Sequence, residues 1–226
     1  MTRSSSWLVA AGCCAAVAFG AAGAQTATGA VNEIAHAIAI QPDGKIVVGG
    51  DYNASFGSGF AVARYTSAGK RDASFGAGGI TLINPGRWGS ASAYGVALQP
   101  DGKIVAAGAS TADARIGSPS PRVFMLVRYT KTGALDAGFG SGGGVLTALG
   151  GGGAGAHAVA VQRDGKIVAA GGSGPSCPGT PCQSAFALVR YTTSGQLDAG
   201  FGFGGKVLTG LGGSDGASAV AVQPDG

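Results

Sequence analysis

Glutamate is almost absent from this chain: Glu33 is the only one. Glycosidase chemistry with a pair of glutamates across the sugar bond has no second residue to use here. Charge of either sign is sparse, at 12% of residues with a net of +4. The Lys and Arg residues are scattered rather than gathered in a run, so no nucleic-acid footprint is present. Histidine occurs twice, at His36 and His157. They hold equivalent places in two repeats, where the others have Tyr94 and Ser218; a pair brought together from alternate repeats could bind a metal, but no other ligand is evident and both read as strand-edge residues. No Ser-His-Asp arrangement, phosphate loop or nucleotide fingerprint can be placed, and no cofactor is implied. The longest apolar run, Trp7 to Phe19, is too short to span a bilayer.

That run has a different use. Arg3 supplies a positive start, the apolar stretch follows, and Ala22-Gly23-Ala24 fits a small-residue cleavage site. Residues 1–24 are therefore expected to be a signal peptide, residues 25–34 a polar leader, and the mature chain exported, with no stable membrane span. A lipoprotein acylated at Cys13 fits less well, because Ala10-Ala11-Gly12 lacks the usual branched residue upstream. Cleavage leaves two thiols, Cys177 and Cys182. In an oxidising compartment they are expected to form a local disulfide that stabilises by about 2 kcal/mol.

Glycine is abundant, 45 of 226 residues, but it is periodic. Gln41-Pro42-Asp43-Gly44-Lys45-Ile46-Val47 returns from Gln99 and, with Arg163 in place of Pro, from Gln162; it starts again at Gln223. Before each turn lies an alternating apolar stretch, such as Ala37 to Gln41, which reads as a strand buried on both faces. After it comes a second strand ending at Gly49-Gly50 in the first copy. A third strand follows, Phe60 to Thr66, Phe124 to Thr130 and Phe186 to Thr192. Alternation puts its Phe and Arg on one face and its Tyr on the other. Asp72, Asp136 and Asp198 then precede a Phe-Gly and a short fourth strand. Four antiparallel strands in about sixty residues predict an all-β array of propeller-like blades at about 35–92, 93–155 and 156–216, with a partial fourth at 217–226.

The turn, the Arg-Tyr-Thr strand and the Leu-Asp-x-x-Phe-Gly segment together resemble the delta-60 repeat family of bacterial exported and surface proteins. The resemblance covers residues 35 to 226, departing at Arg71 and Arg163. It implies a propeller-like fold and no established activity, so it carries over no catalytic residue. The sequence stops inside a turn, and the reading favoured here is that it forms the N-terminal part of a longer propeller.

Asp43, Asp101, Asp164, Arg64, Arg128, Arg190, Asp72, Asp136 and Asp198 recur in every copy. A catalytic group is needed once, so these are expected to be structural, each third-strand Arg pairing with the Asp that follows. The loop between the second and third strands varies in length, and binding groups gather on such loops. The candidate recognition face therefore holds Tyr52, Arg115, Arg122, the Cys177–Cys182 loop and the crossover pair Arg87 and Trp88. Only Asp51, Asp113 and Asp215 add unique carboxylates there. The expected function is an exported, non-catalytic module that binds a protein or glycan or acts as a spacer. The alternative is a propeller lyase or hydrolase, or a targeting module for a downstream catalytic domain.

Overall fold

The computed structural model describes residues 32–54, 57–83, 90–111, 122–150, 153–174, 184–213 and 215–224. Among them are twelve strands and no helix. The first sheet contains β1 (Asn32–Ile40), β2 (Ile46–Ala54), β3 (Gly57–Tyr65) and β4 (Ile80–Leu82). The second contains β5 (Ala91–Leu98), β6 (Ile104–Thr111), β7 (Arg122–Tyr129) and β8 (Gly144–Thr147). The third contains β9 (Gly153–Val161), β10 (Ile167–Gly174), β11 (Ala185–Tyr191) and β12 (Lys206–Thr209). Each sheet is an antiparallel meander in chain order, and the three do not close into a ring.

The first turn follows from its residues. Gln41 N–H donates to Lys45 O (2.8 Å) and Gly44 N–H to Gln41 O (2.9 Å). Gly44 sits at φ 80°, which a side chain disfavours. Asp43 Oδ1 accepts the Lys45 N–H at 3.1 Å, closing the Asp side of the loop.

The sheets stack in sequence. β5 packs across β1, β2 and β3, and β9 packs across β5, β6 and β7. Along β7 the side chains alternate between the two interfaces. Met125, Val127 and Tyr129 join Val47, Phe60 and Phe75 of the first sheet. Phe124 and Leu126 join Ile167, Val189 and Tyr191 of the third. Each such large apolar group removed from water is worth about 1.5–3 kcal/mol, so these two seams hold the array together. On the far side of the third sheet the pattern stops. Phe186 and Leu188, unlike their buried counterparts Phe124 and Leu126, line an open groove with Val207, Thr209 and Ala217.

Three sequence expectations change. The opening strands are not buried on both faces. Ile38 and Ile40 of β1 are 63% and 60% exposed, and β5 is at best half-buried at alternate positions. They lie at the sheet edge, so most burial falls on the second and third strands. The second strands do not end at their glycines. β2 continues through Gly49 and Gly50 to Ala54, and both glycines pair with β1 on one side and β3 on the other. Residues 219–223 enter no strand; the segment lies along the third sheet, with Ala217 N–H donating to Gly171 O at 3.0 Å. No second strand of that repeat is present among the described residues for it to pair with.

Candidate functional site

Every opening strand carries one extra residue. The register shifts between Ala35 and Ala37, between Ala93 and Gly95, and opposite the step from Ala170 to Gly171 in the third sheet. The bulged residues are His36, Tyr94 and His157. Each bulge needs a glycine across from it. A Cβ on Gly50, Gly108 or Gly171 would lie about 2 Å from the carbonyl oxygen of Ile34, Ser92 or Gly155. This close approach explains why glycine recurs at that place in β2, β6 and β10. Bulges re-aim a side chain and are enriched beside active sites.

Because β5 lies against both β1 and β9, the three re-aimed rings meet. His36 and Tyr94 are 5.1 Å apart between centroids and edge-to-face, and Tyr94 and His157 are 5.6 Å apart in the same manner. His36 Nε2 is 2.6 Å from Oδ1 of the buried Asp51. His157 Nδ1 is 3.2 Å from the Ala217 carbonyl. Arg122, exposed at the start of β7, brings Nη2 to 3.5 Å from the Tyr94 hydroxyl. The row offers ring surface, imidazole nitrogens, a phenol and one guanidinium. Among the described residues no group of three His, Cys, Asp or Glu side chains is placed to hold a metal ion.

The recurrent charges form a separate structure on each sheet. Arg64 Nε donates to Asp72 Oδ2 at 2.8 Å, Arg128 to Asp136 at 2.8 Å and Arg190 to Asp198 at 2.7 Å. The lysine of the first turn reaches the same carboxylate. Lys45, Lys103 and Lys166 lie 3.3, 3.2 and 3.2 Å from Asp72, Asp136 and Asp198. The turn Asp43, Asp101 and Asp164 each flank that lysine at 3.3–3.5 Å. Each guanidinium also lies over an aromatic ring: Phe75, Phe139 or Phe201. The first two arginines then cross to the next sheet, Arg64 Nη1 donating to Lys131 O at 2.6 Å and Arg128 Nη1 to Thr193 O.

These contacts hold the carboxylates ionised. A hydrogen bond from the Ser74 hydroxyl, aided by Lys45 and Arg64, sets Asp72 well below its ordinary value. Burial alone would raise Asp136. The Gly138 N–H, Lys103 and Arg128 outweigh it, and the net direction is down. Asp198 follows the same balance, with Lys166, the Gly200 N–H and Arg190 on the lowering side. A carboxyl so stabilised has no proton to give at neutral pH, which suits a clamp and not a general acid.

The expected recognition face is only partly assembled. Tyr52 does not belong to it: it is buried, and its hydroxyl donates to Ile83 O at 3.0 Å. Arg122 is exposed but turns toward the row. Arg87, Trp88, Arg115, Asp113 and the Cys177–Cys182 pair lie outside the described residues. Asp215 Oδ2 accepts the Leu211 N–H at 2.6 Å. The sequence shows the shared repeat position but not the contact of the three rings. His36, Tyr94 and His157 share a repeat position, but nothing in one repeat announces that three sheets will bring them together.

No curated protein matches this chain significantly. No helix among the described residues is long and apolar enough to cross a membrane. A family described as a domain of unknown function (DUF5122) beta-propeller matches residues 41–75, 99–139 and 162–201. Each matched segment runs from the Gln of the first turn to the Phe beneath the arginine, and so contains one complete ion-pair clamp. The three segments together span more than half of the 226 residues, and the chain belongs to the DUF5122 beta-propeller family.

Proposed function

We propose that the chain is an exported, non-catalytic binding module of the delta-60 repeat kind, a rigid array that presents a recognition surface to a glycan or protein. The observation that carries this reading is the bulge row. The scaffold is the same in all three sheets, while the residue it presents changes from His to Tyr to His. Constant backbone with variable side chains is how recognition surfaces are mounted on rigid folds. The carboxylates of the clamps are paired and ionised, which removes them as general acids. Residues 1–24 would direct export, and a secreted form starting at Gln25 checks that half.

The binding half is tested with the mature chain on a glycan array, followed by prolonged incubation with each hit. Binding with every saccharide recovered intact supports the module. Shortened or eliminated saccharide products would sink it and favour the lyase or hydrolase reading.

A further inference from the structure

We propose that the His36–Tyr94–His157 row binds an acidic oligosaccharide lengthwise, with Arg122 holding a carboxylate. This proposal rests on the binding-module reading and names its ligand class. The row has a direction, because the three rings follow one another across three opening strands at 5.1 and 5.6 Å. That spacing suits a ligand whose units advance by about one ring at a time, as sugars do along a chain. Each position offers what a sugar needs: a ring edge or face for the C–H side, and a polar atom for hydroxyls. Of the row's polar atoms, Nδ1 of His157 is tied to Ala217 O and Nε2 of His36 to Asp51, while the Tyr94 hydroxyl lies within reach of Arg122.

Charge selects among sugars. The carboxylate of the row, Asp51, is buried and engaged by His36. Among the described residues that touch the row, the exposed charge is Arg122, whose planar guanidinium matches a carboxylate in two-point geometry. The chain as a whole is basic, at +4, which favours approach by a polyanion. Arg122 also stands beside Tyr94, so a charged sugar held there lies in the middle of the row rather than at its end.

The test titrates the mature chain by calorimetry with oligogalacturonate, and in parallel with neutral cello-oligosaccharide and dextran. The expected result is binding of the acidic oligomer alone, weakened by added salt. Tyr94→Ala and Arg122→Ala should each weaken it about tenfold or more, as for a central contact. Arg122→Lys should recover part of the loss, and the exposed Arg163→Ala should change nothing. Tyr94→Phe, which keeps the ring in the stack, guards against a folding artefact, and circular dichroism checks each variant. Equal binding of neutral and acidic oligomers overturns the acidic choice while the binding module stands. Acidic binding unaffected by Tyr94→Ala and Arg122→Ala overturns the row as its site. No binding to any of the three saccharides also overturns the proposal, and the module reading then rests on the array.

Discussion

At the residue scale, Tyr129 and Tyr191 occupy the same place in successive sheets, yet their hydroxyls fare differently. Both are fully buried, and burial pushes both phenols up. Tyr191 donates to Thr147 Oγ1 at 2.8 Å. The counterpart of Thr147 one sheet earlier is Ile83, which has no hydroxyl, and among the described residues the Tyr129 oxygen has no partner. A buried polar group with no partner costs free energy, and one with a partner contributes about 1 kcal/mol. Tyr191→Phe is therefore expected to destabilise by about 1 kcal/mol, and Tyr129→Phe to be neutral or stabilising. Urea denaturation of the two variants checks this, and an equal loss in both would contradict it.

At the element scale, the turn, third strand and Asp-Phe-Gly segment of each repeat are one unit. Lys from the first turn and Arg from the third strand converge on a single Asp, and the Phe lies beneath the guanidinium. The Arg–Asp half of this unit was legible as recurring residues of opposite charge. The lysine was not, because it is distant in sequence and is brought in by the first hairpin. Arg128 also bridges to the third sheet through Thr193 O, whereas among the described residues no such carbonyl receives Arg190. Arg128→Met is expected to cost about 2 kcal/mol, the scale of charge-assisted hydrogen bonds lost from a buried place. Arg190→Met should cost less, its side chain being 20% exposed against 7%. Thermal denaturation of both variants gives the comparison; a larger loss for Arg190 would refute the bridging role.

At the scale of the whole molecule, the main packing among the described residues runs between successive sheets, the first with the second and the second with the third. Stability in such stacks is a sum of units and the seams between them. The second sheet has a seam on both faces, while the first and third each have one. Amide exchange is accordingly expected to be slowest in β6 and β7 and fastest in β1 and β12. Hydrogen-exchange mass spectrometry resolves these strands. Protection of β1 equal to that of β6 would mean the stack opens as one unit.

The sequence by itself determined the repeat, the strand count, the first turn and the pairing of recurrent charges. All of these are local, or separated by a few residues along one hairpin. It misplaced the ends of the second strands, because a glycine read in isolation looks like a stop. In the sheet, Gly50, Gly108 and Gly171 are the residues that let a bulge carbonyl approach. Only the tertiary structure decided that Tyr52 is buried under Ile83 and that Ile38 and Ile40 stand exposed. It alone brought His36, Tyr94 and His157 into one row. Those residues are about sixty positions apart, and their meeting depends on how sheet packs on sheet, which no local pattern encodes.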